Sequence, residues 1–322
     1  MLPIQKQGIA LDSYLPIIES IKATSLLNRL KTLVSHEGFQ AHPFSMCLRC
    51  LVWAFYVTIG RAPAFRLSSH GARIQVPATL RYTSVAGYVL RDWCEPELRH
   101  LEMFVRPGHT FIDIGANIGL YTLKAASLTG AAGRVIAVEP GQEASQQLRD
   151  NLALNDFPHV TVAQLALSDH AGEATLHHIP LGDDPQAYSL LPDGSTETGE
   201  TVTIDTLDAL VARLGIDTLD VIKMDVEGAE PLVIAGGRAT LQRFHPIVIF
   251  EVNTRLLAEA AGQRNAAWQA LRDLGYQFFR LAGGRLEPAD GVGEAFGNLV
   301  AIYPSGAADG PATGPEPARE GR

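Results

Sequence analysis

Cysteine is scarce in this chain: Cys47, Cys50 and Cys94 are the only three among 322 residues. The number is odd, and the CxxC pair at Cys47 and Cys50 has no second CxxC or CxxH to complete it. A disulfide framework and a closed zinc site are both excluded, and a reducing, cytoplasmic compartment is expected. Long hydrophobic runs are missing too. The longest apolar stretch, Cys50–Ile59, is about half of the ~20 residues that a bilayer crossing needs, so no membrane span is expected. No basic start followed by an apolar block marks a secretory signal. Positive charge is short, with 26 Lys and Arg against 35 Asp and Glu, a formal charge of −9. A dedicated nucleic-acid binder needs clustered cations, so that class is excluded as well. Glycine at 30 and proline at 19 are near average usage, which rules out collagen-like and wholly disordered chains.

What is present is unevenly spread. Residues 1–107 carry 12 basic and 7 acidic side chains, whereas residues 108–322 carry 14 and 28, which suggests two roles. Leu15, Ile18, Ile21, Leu26, Leu27, Leu30 and Val34 recur at helical spacing and predict an amphipathic helix over 13–34. A second helix is predicted from Phe44 to Ile59, stopped by Gly60 and Pro63, with Trp53, Phe55 and Tyr56 on its apolar face. That face is expected to pack on the body or on a partner subunit of a homo-oligomer, with peripheral membrane contact as the alternative. Cys47 and Cys50 fall inside this helix, where buried small hydrophobes are expected. Strand-like pieces follow at Phe65–Leu67 and Arg73–Val76. The chain divides into a helical accessory region over 1–80, an α/β domain over 81–303, and a tail over 304–322 whose Gly, Pro and Ala content predicts disorder.

Within 81–303, short β-branched runs alternate with helical segments. Strands are predicted at Thr110–Ile114, Arg134–Val138, Val160–Leu167, Leu219–Val226 and Ile247–Val252. Helices are predicted at Gly119–Leu128, Glu143–Asn155 and Ala266–Leu274. Such alternation implies right-handed crossovers and a mostly parallel sheet. Tyr276–Leu281 and Asn298–Tyr303 have no helix between them, so this seven-stranded sheet is expected to close with an antiparallel pair. His177 and His178 adjoin in a strand, face opposite sides, and cannot chelate one metal together.

The chemistry concentrates at strand ends. Asp113-Ile-Gly115-Ala-Asn117-Ile-Gly119 sits where the first strand meets its helix, the turn that faces a ligand in a doubly wound sheet. It lacks the GxGxxG spacing of a dinucleotide loop. It suits a nucleoside with an amino-acid tail, with Asp113 near the ammonium and the amides of Gly115 to Gly119 near the carboxylate. Glu139, 20 residues beyond Gly119, is placed to accept both ribose hydroxyl protons. Asp169 either accepts from an adenine amino group or begins a turn. Lys223 and Asp225 share one side of the fourth strand, and Asp225 and Glu251 are acids in central strands, costly unless hydrogen-bonded or functional. Glu227 and Glu230 start the next helix, where acids complement its dipole.

FIDIGANIGLYTL, GRVIAVEP, NLALN, ALSDHAGEATL, VTIDTLDAL, DVIKMDVEGAE and PIVIFEVN, in that order and spacing, resemble the FkbM family of S-adenosylmethionine-dependent methyltransferases. The resemblance covers Glu95 to Val252 and, more loosely, the chain to Tyr303. It implies a Rossmann-like class I methyltransferase fold and methyl transfer to a hydroxyl of a sugar or polyketide-like natural product. It also implies that Asp113, Gly115, Asn117, Gly119 and Glu139 hold the cofactor, with Asp169 by the adenine. Ala187-Tyr-Ser-Leu-Leu resembles a serine-containing stretch of the family, which gives Ser189 a substrate-side role. Methyl transfer to an alcohol needs a base, and Asp225, Glu227, Glu251 and His245 are the candidates, Asp225 and Glu251 first. No resident metal is assigned; the alternative is an oxygen-rich cluster that binds Mg²⁺ and lowers the alcohol's pKa. Two other classes stay open: a nicotinamide oxidoreductase using the shared glycine turn and ribose acid, and a non-catalytic scaffold that binds a partner through the basic N-terminal helices.

Overall fold

The structure, a computed structural model, describes residues 33–68, 71–178, 188–189, 199–252, 266–291 and 297–304. Most of the helix predicted over 13–34 and the tail over 305–322 lie outside these residues.

Trp53 organises the N-terminal layer. Glu37–Ala41 (α1) turns through His42 into Pro43–Thr58 (α2), where proline occupies the first turn, whose N–H has no intrahelical partner. Phe65–Arg66 (β1) and Arg73–Ile74 (β2) pair antiparallel, followed by Tyr82–Val89 (α3) and Pro96–Arg99 (α4). The buried Trp53 ring stacks on Tyr88 of α3 at 4.7 Å, and its indole N–H donates to the Thr79 carbonyl at 3.0 Å. Body and polar tip are both used, and the burial contributes about 3 kcal/mol. The helix does not bury all of its apolar residues. Phe44, Leu48, Leu51 and Phe55 stand exposed at three- and four-residue spacing. The expected packing on the body therefore holds for Trp53 and not for Phe55. Cys47, expected to be buried, is exposed because it points the same way, and Cys50 is half-buried.

The α/β body begins with Thr110–Ile114 (β3), Leu120–Thr129 (α5), Arg134–Val138 (β4), Gln142–Ala153 (α6) and Val160–Ala163 (β5). Next come Ala166–Leu167 (β6), Gly172–His178 (β7), Tyr188–Ser189 (β8), Glu200–Asp205 (β9), Leu207–Arg213 (α7) and Val221–Met224 (β10). Glu230–Gly236 (α8), Arg238–Phe244 (α9), Ile247–Val252 (β11) and Ala266–Asp273 (α10) lead to Gln277–Ala282 (β12), Arg285–Pro288 (β13) and Gly297–Ile302 (β14). The main sheet has the order β13-β12-β14-β11-β10-β3-β4-β5. From β11 to β5 the pairings are parallel, and β14, β12 and β13 close the sheet antiparallel.

Two expectations are corrected. The sheet has eight strands, not seven, because Arg285–Pro288 adds a mostly exposed edge strand whose sequence lacks an apolar alternation. The third predicted strand, 160–167, breaks at a tight turn in which the Leu165 N–H donates to the Ala163 carbonyl. Its second piece, β6, pairs with β9 in a separate four-stranded sheet of order β6-β9-β7-β8.

Central strands are buried on both faces and read as nearly continuous apolar runs. Ile112, Ile222, Met224 and Phe250 pack on one side, and Phe111, Val221, Ile249 and Val300 on the other. Asp113 and Lys223, cross-strand partners between β3 and β10, are the polar intrusions. Asn151 and Asn155, from the NLALN run, pin the N-terminal layer to this body. Their Oδ1 atoms accept the Gln75 and Arg73 N–H groups at 2.8 and 2.7 Å, and Asn151 Nδ2 donates to the Ile118 carbonyl at 2.9 Å. Among the described residues no helix is long and apolar enough to cross a membrane.

Candidate functional site

At the carboxyl ends of β3, β4 and β10 lies a cleft lined by Gly115, Asn117, Glu139, Leu165, Asp225 and Glu227, among others. Its glycine turn is wound through the left-handed region, with φ of +80° at Gly115, +48° at Asn117 and +97° at Gly119. Both glycines are demanded by the chain itself. A Cβ on Gly115 would stand 1.8 Å from the Asp225 carbonyl oxygen, and one on Gly119 would stand 2.6 Å from Leu148 Cδ1.

Four of the five amides from Gly115 to Gly119, expected to meet a carboxylate, are committed within the protein. The Gly115 and Ala116 N–H groups both donate to the Val138 carbonyl, the Gly119 N–H to Ala116, and the Asn117 N–H to Glu139 Oε2 at 2.8 Å. The turn is thus fastened to β4, which leaves the Ile118 N–H and the side chains for recognition. Glu139 is buried and its Oε1 accepts the Gly141 N–H at 2.9 Å. Burial pushes its pKa up to about 7, against the pull of the Gly141 and Asn117 N–H groups. Each of its oxygens has lone-pair capacity beyond those two bonds, so a pair of ribose hydroxyls can still be accepted. Asn117 Oδ1 is buried with no hydrogen-bond partner in the protein, an acceptor awaiting a donor. A ribose acid beside an orphaned amide oxygen fits a nucleoside with an ammonium-bearing tail.

Asp113 does not line this cleft. It points to the other side of β3, where Thr122 Oγ1 donates to it at 2.5 Å, and burial raises its pKa to about 6. Asp169 does not line the cleft either. It stands at the surface, where His170 Nδ1 lies 2.6 Å from Oδ1 and holds its pKa below the usual range. Of its two readings, the turn matches this position.

The opposite rim is built from Asp225, Val226 and Glu227 at the end of β10, and Glu251 of β11 stands next to them outside the lining. One oxygen from each of Asp225, Glu227 and Glu251 can be drawn from atoms lying within 4.8 Å of one another. The fully buried Lys223 lies under them, its Nζ 3.4 Å from Asp225 Oδ2 and 2.9 Å from Asn298 Oδ1. Burial alone would lower the Lys223 pKa, but Asp225, Glu95, Glu251 and Asp113 together hold it above its ordinary value as a charged ammonium. Glu251 is driven the other way. Burial, then Asp225 and Glu227, push its carboxyl far above the carboxylate range, and its Oε2 has no hydrogen-bond partner. Glu230 is a structural acid whose Oε1 accepts the Val226 N–H at 3.1 Å, and burial raises its pKa to about 7. His245 ends α9 in a left-handed conformation, stacked on Tyr303 at 3.7 Å.

Sequence reasoning missed the residues beneath this rim. Asn298 Nδ2 donates to Glu95 Oε2 at 2.8 Å and to Glu97 Oε2 at 3.2 Å, and the Tyr121 hydroxyl donates to Glu95 at 2.6 Å. The Tyr121 ring faces Lys223 Nζ at 5.0 Å. Only the buried cation in VIKM pointed to such a network, since a lysine there requires counter-charges. Ser189 lies in β8, paired with His177, and its neighbours 179–187 and 190–198 lie outside the described residues.

The Methyltransferase FkbM domain family matches residues 113–278, from the buried acid of β3 to β12. The chain is 27% identical over 158 residues to the 2-O-methyltransferase NoeI of Sinorhizobium fredii, covering 44% of this chain and 63% of that protein. It is 31% identical over 161 residues to the methyltransferase sdnD of Sordaria araneosa, covering 40% and 61%. A 206-residue match to the AMB antimetabolite synthetase AmbE of Pseudomonas aeruginosa, 28% identical, covers 53% of this chain and 10% of that one. The chain thus spans less than two thirds of each of these relatives. A solved structure of the FkbM methyltransferase from Methylobacillus flagellatus aligns at 18% identity and a TM-score of 0.41, covering 69% of this chain and 54% of that one. With over half of its length matched from β3 to β12, the chain belongs to the FkbM methyltransferase family.

Proposed function

We propose that the protein is an S-adenosylmethionine-dependent O-methyltransferase acting on a hydroxyl of a sugar or polyketide-like acceptor in the cytoplasm. The observation that carries this reading is one cleft with two chemically different rims. A capped acid, Glu139, faces it from the end of β4, and Asp225, seated on a buried lysine, faces it with Glu227 from the end of β10. The name of the relative NoeI, a 2-O-methyltransferase, supports oxygen as the acceptor atom.

S-Adenosylmethionine supplies an electrophilic methyl group on sulfur. On the chain's side, Glu139 would accept hydrogen bonds from the two ribose hydroxyls, and Asn117 Oδ1 would accept one from the ammonium of the tail. An acceptor hydroxyl would have to give up its proton on methylation, so a base has to stand beside it. Glu251 retains its own proton at neutral pH and serves as a donor that orients the acceptor. Asp225, which lines the cleft and is fixed from below by Lys223, is the base. Asp113 acts from the far side of β3 as a positioning residue for the glycine turn.

Calorimetry on the full chain tests the first half of the reading: S-adenosylmethionine should bind with 1:1 stoichiometry. A trideuteromethyl-labelled cofactor and a panel of hydroxylated glycans and polyketides test the second, with label expected on oxygen. Absence of cofactor affinity in folded protein sinks the proposal. Label on nitrogen would move the acceptor class.

A further inference from the structure

We propose that the N-terminal layer holds a second binding site, built for a phosphoryl group. A pocket of about 430 Å³ is lined by Arg49 of α2, Arg91 at the end of α3 and Arg99 of α4, with the hydroxyls of Ser45 and Ser68 on its wall. It shares no lining residue with the methyl-transfer cleft. Three arginines therefore line one partly open pocket, and the only carboxylate lining it is Asp92. That carboxylate is already committed: Arg99 lies 3.0 Å from Oδ2 and Lys124 Nζ lies 3.6 Å away. Arg49 donates to the Val89 carbonyl at 2.9 Å, and among the described residues neither Arg49 nor Arg91 makes an ion pair.

Arg91 shows the strain of this arrangement. Its backbone sits at φ +58°, a conformation that side-chain-bearing residues rarely adopt, and its Nε is buried with no hydrogen-bond partner. Burial, and then the proximity of Arg49, push its pKa down. Asp92 is the one carboxylate acting on both, and it is shared with Arg99 and Lys124, so the two half-buried like charges are under-compensated in the absence of a ligand. A tetrahedral dianion neutralises both, and its oxygens match the planar forks of two arginines. The surrounding sequence agrees, since residues 38–91 contain six arginines and neither Asp nor Glu.

Such a phosphoryl group can belong to a soluble molecule or to a lipid headgroup. The second source is physically accessible because the helix that supplies Arg49 also exposes Phe44, Leu48, Leu51 and Phe55, an apolar stripe of the kind that enters a bilayer interface.

The test uses the full chain and two probes at constant ionic strength: inorganic pyrophosphate by calorimetry, and phosphatidylcholine vesicles with or without phosphatidic acid by co-sedimentation. Wild type should bind pyrophosphate saturably, and Arg49→Gln and Arg91→Gln should each weaken it roughly tenfold or more. Because Arg91→Gln disturbs a strained position, Ser68→Glu is the second variant: it keeps every arginine, supplies a carboxylate to the pocket, and should remove binding without lowering the melting temperature. Cofactor affinity should be unchanged in all three, so this site and the methyl-transfer reading fail separately. Binding of phosphatidic-acid vesicles with competition by pyrophosphate would assign the group to a lipid; pyrophosphate binding alone would assign it to a soluble ligand. Both outcomes support the site. No saturable binding of either probe by folded wild type, or equal binding by all three variants, overturns it.

Discussion

The two rims of the cleft use the same residue type to opposite ends. On the β4 rim, Glu139 is buried, yet two backbone N–H groups cap its oxygens and its pKa stays near 7. Beside the β10 rim, Glu251 of β11 has neighbouring carboxylates and an oxygen with no partner, and it is pushed much further. Hydrogen-bond donors make a buried acid a ready acceptor, whereas surrounding acids make it hold a proton. The first arrangement suits recognition of a neutral ribose, the second the management of a proton.

Substitutions test this contrast. The largest effect is expected at Asp225, where Asp225→Asn should lower kcat by about 10²–10⁴ with little change in cofactor affinity, as removal of a general base does. Single-turnover rates beside calorimetry check it; a loss confined to cofactor affinity would place Asp225 on the recognition rim. Glu139→Ala should do the reverse, weakening cofactor binding roughly 10- to 100-fold by removing bonds to a charged acceptor. If its kcat at saturating cofactor falls as steeply as that of Asp225→Asn, the two rims do not divide the work.

A smaller effect is expected from pH. Asp113, Glu139 and Glu230 all have folded pKa values raised above their ordinary ones, to about 6, 7 and 7. The folded protein therefore binds more protons than the unfolded chain between about pH 4 and 7. Their contribution to the stability of the ligand-free protein should be fully present below that window and be lost as pH rises through it. Cofactor affinity should run oppositely, rising towards pH 7 as Glu139 ionises. Melting curves across pH 4–8 check the first, and Glu139→Gln should flatten part of the slope. The smallest change is expected from Glu251→Gln. Glutamine mimics the protonated acid, so kcat near neutral pH should hold, in EDTA as well as with added Mg²⁺. A loss of turnover in EDTA that Mg²⁺ restores would reassign Asp225, Glu227 and Glu251 as cation ligands.

Much of the β3 and β4 side of the cleft was legible in the sequence because its information is local. A strand, a glycine turn and an acid 20 residues later fall in one crossover unit, and Gly115, Asn117 and Glu139 do meet. The turn's amides were not legible, since their diversion to Val138 depends on a neighbouring strand. Asp169 and Asp113 show the limits of strand-end counting, because it predicts proximity to the cleft but not the side a carboxylate takes. The network under Lys223 draws on Glu95, Tyr121 and Asn298, up to 203 residues apart, and no short-range pattern ties them together. In the N-terminal layer helix periodicity located α2, but two apolar faces on one helix left its packing side open.

The contact between Gly115 and the Asp225 carbonyl acts as a mechanical stop between the two halves of the enzyme. With a clearance too small for a single methyl group, the approach of the glycine turn to the end of β10 is set by main chain against main chain. Retuning such a protein for a different acceptor is left to the peripheral loops, because the gauge of its reaction centre has no side chain to exchange.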